Sequence, residues 1–373
     1  MRFGKGMKSL TGWPVLLLVA GWLHLSSLAL AQGDSPAAPV QRQWLPIPRI
    51  QSHLTAADLG VVINTADPYS VAVGEYYVQK RGVPPEQVLR VELPVRSSLN
   101  VAEFGILYAQ IRDFMGPNVQ ALALAWTQPF SVGCNSITSA LTLGLEPEAC
   151  RNGCAISKPS RYFNNPTARP FTDLGLRPSM LLASRSIESA QALIDRGIAS
   201  DATLGKRGAP LANAVFVNTT DAARSVRTRL FPPAGPVVRM GVNVMLSNGS
   251  EPPPLRRVIL YQTGVTRQDA IDHKQWLPGA LADHLTSYGG QLLDGSGQMS
   301  VLEWLEAGAT ASYGTVSEPC NHLQKFPHPQ VLLLNYVQGA TAVEAYWRSV
   351  AWPGQGVFVG EPLAAPFNQS FNR

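Results

Sequence analysis

The sequence predicts an α/β fold in which a mostly parallel sheet is flanked by helices. Three observations carry this prediction. Apolar runs of strand length recur along the chain, several of them continuous rather than alternating, as strands buried on both faces require. Segments with helix-capping signals lie between these runs. The composition, 45% apolar and only 15% charged over 373 residues, supplies the core that such a sheet needs.

The strand-like runs are Val61–Asn64, Val88–Leu93, Ala121–Trp126, Met180–Ser184, Ala214–Asn218, Val258–Gln262, Ala309–Tyr313 and Val357–Gly360. Asp67-Pro68 opens the first helix as N-cap and first-turn proline, and Gly82 ends it. Asn100 with Glu103 forms a capping box for a second helix closed near Gly116. Ser186 opens a third that ends near Gly197, and Thr220 or Asp221 opens a fourth. Residues 279–289, 298–307 and 329–350 also read as helical. Two stretches, 127–178 and 232–257, break the alternation. They read as loop or hairpin insertions within one domain spanning 56–367, followed by a short tail, 368–373.

The N-terminus has the layout of a secretory signal peptide. Arg2, Lys5 and Lys8 precede the apolar Val15–Val19, and Ala29-Leu30-Ala31 is a small-x-small cleavage site. Residues 1–31 are thus expected to be removed, with a Pro/Gln-rich leader over 32–55. The formal charge of +5 then loses its three signal-peptide cations. The remainder holds 27 basic against 25 acidic side chains, a net charge of +2, which gives no reason to expect a nucleic-acid partner. No later apolar run is long enough to span a bilayer. The expected location is periplasmic or secreted, and the expected partner is a protein or surface polymer.

Export makes Cys134, Cys150, Cys154 and Cys320 disulfide candidates, with three possible connectivities. Cys150 with Cys154 would close a tight loop and leave Cys134 for Cys320; Cys134 with Cys150 is the other local choice. Cys-x-x-x-Cys lacks a matching second pair, so no metal site is expected. No phosphate-binding loop, dinucleotide fingerprint, Gly-x-Ser-x-Gly elbow or His-Glu-x-x-His occurs, and no cofactor is expected.

In an open parallel sheet, ligands sit beyond the carboxyl ends of the strands. That rule selects Asp67, Arg185, Glu318 and His322 as candidate binding residues, and the second densest polar cluster, Asp283–Gly290, adds Thr286 and Ser287. The one sharp catalytic pairing is Cys320 as thiolate with His284 as base, competing with oxidation of Cys320 into a disulfide. A carboxylate pair, Glu318 with Asp283, is the other option. Asp67, Thr220 and Asp221 read as helix caps before they read as catalytic groups. Arg224, Arg227 and Arg229, with Arg256-Arg257, read as a solvated basic face. Trp304, Tyr346, Trp347 and Trp352 read as core.

Several motifs together resemble an uncharacterised bacterial exported family. They are Ala66-Asp67-Pro68-Tyr69-Ser70, Lys80-Arg81-Gly82-Val83-Pro84, Thr286-Ser287-Tyr288-Gly289-Gly290, the run from Gly308 to Pro319, and Gly360-Glu361-Pro362-Leu363. That family occurs in genomes that carry exosortase. The resemblance implies an accessory role in an exosortase-linked sorting or surface-polymer pathway, with no assigned activity. More loosely, the chain is similar to caspase and gingipain-like peptidases, which implies a caspase-like or related Rossmann-like sheet. Those peptidases carry His-Gly after one strand and Cys after the next. Here His284 precedes Leu285, and Cys320 follows the late Gly-Ala strand. A non-catalytic binding or scaffold domain is therefore the leading expectation, and a cysteine-dependent hydrolase the alternative.

Overall fold

A computed structural model describes residues 43–249, 255–293 and 295–368. The expected signal peptide, 1–31, lies outside them.

The first half of the chain runs β1 (Leu59–Asn64), α1 (Pro68–Arg81), β2 (Val88–Val91), β3 (Ser98–Leu99), α2 (Val101–Phe114) and β4 (Ala121–Leu124). Next come β5 (Ser131–Val132), β6 (Asn135–Ser136), α3 (Ile137–Leu143), α4 (Glu148–Arg151), α5 (Pro170–Leu174), β7 (Ser179–Leu181) and α6 (Ile187–Ser200). The second half runs β8 (Ala212–Asn218), β9 (Gly235–Val237), β10 (Val242–Asn248), β11 (Val258–Thr263) and β12 (Trp276–His284). It ends with α7 (Leu302–Glu306), β13 (Ala311–Thr315), α8 (Pro329–Val337), α9 (Ala342–Ser349) and β14 (Gly356–Gly360).

Eleven strands form one sheet in the order β2-β1-β4-β7-β14-β13-β12-β11-β8-β10-β9. It is mostly parallel; β14 runs antiparallel to β13, and β9 antiparallel to β10. The three shortest strands make a separate sheet, β3-β5-β6. Strand alternation sorts the core into two layers. Val61 and Ile63 join Val73 and Tyr77 of α1, Ile194 of α6 and Trp347 of α9. Val62, Leu122 and Leu124 face the other way, toward Phe104 and Leu107 of α2, Ile137 of α3 and Trp304 of α7. Helices thus cover both faces, and the expected fold class is the observed one. Among the described residues, no helix is long and apolar enough to cross a membrane.

The capping signals act as read. Asp67 Oδ1 accepts from Tyr69 N at 3.0 Å, and Gly82 ends α1 in the left-handed conformation at φ 65°. The Asn100–Glu103 capping box is closed in both directions.

Three expectations are corrected. Residues 279–289 are not helical: β12 occupies Trp276–His284 in the middle of the sheet. Buried on both faces, this strand loses polar alternation, and Ala280-Leu281-Ala282 then mimics a helix former until its neighbours pair with it. The segment opened by Thr220 or Asp221 yields only a 3-10 helix, Ser225–Leu230. Residues 329–350 are two helices, broken at Gly339 with φ 100°. The stretch 232–257 carries the expected hairpin, β9–β10, and through β10, which pairs in parallel with β8, it extends the main sheet.

The chain before β1 is held against the helices from Gln43 onward. Ile50 N donates to Gln338 Oε1 at 3.1 Å, and Leu54 N donates to the buried Glu344 Oε2 at 3.2 Å.

Candidate functional site

The carboxyl ends of β8, β11, β12 and β13 converge on a polar edge. Beyond β12 the backbone turns at Thr286-Ser287-Tyr288, and one side chain organises the turn. Gln298 Oε1 accepts from Thr286 Oγ1 at 2.6 Å and from Tyr288 N at 2.9 Å. Thr315, at the end of β13, donates its hydroxyl to Ser287 O at 2.8 Å. Gly290 lets the turn lie on β13, since a Cβ there would sit 2.6 Å from Gly314 O. From the β8 side, Arg224 reaches Thr286 Oγ1 at 3.4 Å and pairs with Asp221 at 2.8 Å. Gly264 after β11 is pressed against the Arg224 backbone, where a Cβ would meet Arg224 O at 2.0 Å. Thr286 and Ser287 are buried, at 1% and 8% exposure, and Thr286 Oγ1 is engaged by Gln298, so the accessible polar groups of this edge are the partly exposed Gln298 and the half-buried Arg224–Asp221 pair.

Beneath the rim lies a buried ion pair. Arg227 is 2% exposed and Asp283 1% exposed, with Nη1 2.6 Å from Oδ1. Arg227 also donates to Thr263 O at 2.7 Å, and Gln262 Nε2 donates to Asp283 Oδ2 at 2.8 Å. Burial raises the Asp283 carboxyl above its ordinary range, and Arg227 and Gln262 pull it back. The Arg224, Arg227, Arg229 stripe was expected on a solvated face. Arg227 instead points into the protein, because a carboxylate 56 residues further along the chain waits there.

His284, the next residue after Asp283, points to the opposite face of β12 and is 1% exposed. Its Nδ1 accepts from Trp304 Nε1 at 2.9 Å, and its Nε2 lies 3.1 Å from Met299 O. An Nδ1 that accepts must be unprotonated, so Nε2 carries the proton and donates it to the carbonyl. Burial pushes the imidazole down to about 3, and only the Met299 hydrogen bond works the other way; Arg227, Arg267 and Arg224 add to the depression. The ring is neutral at physiological pH, with both nitrogens engaged.

Cys320 forms a disulfide with Cys154, and Cys134 with Cys150; among the described residues no cysteine is free. Of the local alternatives, Cys134–Cys150 is the one adopted. The thiolate chemistry expected of Cys320 therefore has no thiol to start from, and the base expected of His284 has no vacant nitrogen.

Two of the other sequence candidates lie beside Cys320. Glu318 Oε1 accepts from Cys320 N at 2.8 Å, and His322 Nε2 lies 3.0 Å from Cys154 O. Thr286 and Ser287, in a stretch read as helical, stand just beyond the carboxyl end of β12. Asp67 is occupied as the α1 cap, and Arg185 pairs with Glu306 at 3.0 Å on the surface. Sequence reasoning missed Gln298 and Lys325, which give no local signal of the contacts they make. It also missed the polar role of Trp304, which was read only as core. Among the described residues, no group of three or more His, Cys, Asp or Glu is placed to hold a metal ion.

No protein-family model and no curated protein matches this chain. Among solved structures, it is similar to a chain described as a protease, with 11% identity and a TM-score of 0.45 over 84% of this chain and 79% of that one. It is also similar to the Arg-specific cysteine proteinase gingipain R, with 10% identity and a TM-score of 0.43 over 86% of this chain and 80% of that one.

Proposed function

We propose that this protein is a non-catalytic binding domain working outside the cytoplasm, as an accessory in the exosortase-linked setting that the sequence resemblance implies. Its ligand or partner surface is the carboxyl edge of β8, β11 and β12, where the partly exposed Asp221, Arg224 and Gln298 lie over the buried Thr286 and Ser287. The observation that carries the reading is the state of the expected catalytic pair. Cys320 is joined to Cys154, and His284 is a neutral, buried imidazole bonded at both nitrogens. A nucleophile needs a free thiolate, and a general base needs an open nitrogen within reach of it.

The test is a thiol titration of the purified protein in denaturant without reductant, run beside a peptide-hydrolysis screen with and without reductant. The expected result is no titratable thiol and no hydrolysis that depends on Cys320. A free thiol mapping to Cys320, with hydrolysis lost in Cys320→Ala, would replace this reading by that of a cysteine-dependent hydrolase.

A further inference from the structure

A cavity of about 330 Å³ opens beside the amino end of β4, across β7 and β14 from the polar edge at β13. It lies where the last turn of α2 meets α3 and the segment that follows α5. Ile111, Met115, Leu122, Leu141 and Phe171 give it apolar walls, and no carboxylate lines it. Apolar walls of this extent, holding a few fixed polar groups, are the usual make-up of a small-molecule site.

One cation stands in these walls without an anion. The Arg177 guanidinium stacks on the Phe171 ring, 3.4 Å from its centroid. Its Nε donates to Val119 O at 3.0 Å, and its Nη2 donates to Met115 O at 2.8 Å and to Gly116 O at 3.1 Å. These carbonyls, at and just beyond the negative end of α2, hold two of the three nitrogens and so fix the plane of the group. The third nitrogen, Nη1, has no hydrogen-bond partner among the described residues and is not shut away from solvent. Burial pulls the guanidinium down to about 10, with Tyr108 acting against it, so the group is fully charged near neutral pH. At the rim, Arg112 is already paired with Asp113 at 2.8 Å. Arg177 therefore supplies the unmatched charge, and an anion at Nη1 would complete it with a charge-assisted hydrogen bond.

We propose that this cavity binds a small organic monocarboxylate, its carboxylate on Arg177 Nη1 and its apolar body against Leu122, Leu141 and Phe171. One open nitrogen with two N–H donors suits a single carboxylate. A phosphate dianion would lose its water to apolar walls that offer its remaining oxygens nothing in return. The cavity shares no residue with the β8–β12 edge, so it stands whether or not that edge is a partner surface.

The test is calorimetric titration of the disulfide-intact protein with hexanoate, hexanol, hexylamine and inorganic phosphate, with spectra of ¹³C-methyl methionine recorded alongside. Hexanoate is expected to bind saturably and at least about tenfold more tightly than hexanol, the margin a hydrogen bond to a charged group gives. Hexylamine and phosphate are expected not to bind at the same concentrations. Met115 lines the cavity, so its methyl resonance, assigned with Met115→Leu, should shift with hexanoate, while that of Met180, in the other core layer, stays in place. In Arg177→Met the preference for acid over alcohol should vanish while the alcohol still binds. Wild-type protein that fails to bind hexanoate saturably, binds it no better than hexanol, or binds it with the Met115 methyl unmoved overturns the proposal. Phosphate bound as tightly as hexanoate also overturns it, and none of these outcomes depends on a variant folding.

Discussion

Trp304 Nε1 donates to His284 Nδ1 at 2.9 Å, and this one hydrogen bond fixes the protonation state of the histidine. The indole N–H can only donate, so the ring nitrogen facing it must accept. A residue that sequence reasoning offers as a general base is thereby converted into a structural link between β12 and α7.

Burial of that imidazole makes stability dependent on pH in a defined direction. His284 is held at about 3 in the folded chain, against about 6.5 when unfolded. Between those values the unfolded chain binds a proton that the folded chain refuses, so stability falls as pH drops below about 6.5. His328, held at about 4 chiefly by its own burial, acts in the same direction. The urea midpoint is expected to decline from pH 6.5 toward 4, each histidine contributing a slope of up to about 1.4 kcal/mol per pH unit. A midpoint that stays flat or rises over this window would contradict the buried neutral imidazole.

The Arg227–Asp283 pair is expected to be intolerant of half-removal. Arg227→Met leaves a buried carboxylate without its cation and should cost roughly 3–5 kcal/mol in equilibrium unfolding. Arg227→Met combined with Asp283→Leu removes both charges and should cost clearly less than the sum of the single changes. Additive single-mutant losses would show that the two side chains do not share one desolvated interaction.

The two disulfides should differ in worth because they close loops of very different length. Cys154–Cys320 spans 166 residues and Cys134–Cys150 spans 16. On the chain-entropy account these are worth about 5 and about 3 kcal/mol. The Cys154→Ser/Cys320→Ser double variant should therefore melt at a lower temperature than the Cys134→Ser/Cys150→Ser variant. Non-reducing peptide mapping that finds Cys150 joined to Cys154 would refute the connectivity itself.

Much of the sheet was legible in the chain because its strands are short apolar runs bounded by caps and turns. Ala121–Trp126 and Val258–Gln262 need only their own composition to be recognised, and α1 announces both of its ends through Asp67 and Gly82. The candidate site was harder to read. β12 looked like a helix because its neighbours on both sides remove the alternation that would mark it. Arg227 looked like part of a solvated stripe, because nothing within several residues reveals a buried partner. Thr286 and Ser287 drew notice only as part of a dense polar cluster in a stretch read as helical, and the structure places them just beyond the end of β12. Gln298, which organises their turn, drew none, since a single glutamine in a loop carries no pattern.

The sequence by itself determined the alternation of strand and helix, the burial of most strands on both faces, and an even set of cysteines fit to pair. Those properties are local: they follow from spacing, propensity and composition within a few residues. Only the tertiary structure decided that Cys320 meets Cys154 and that Asp283 and His284 face opposite layers. It also decided that Lys325 lies buried against Gln355. Each of these depends on contacts between residues tens to hundreds of positions apart, where the low dielectric of the interior sets the cost of every unpaired charge and so selects the partners.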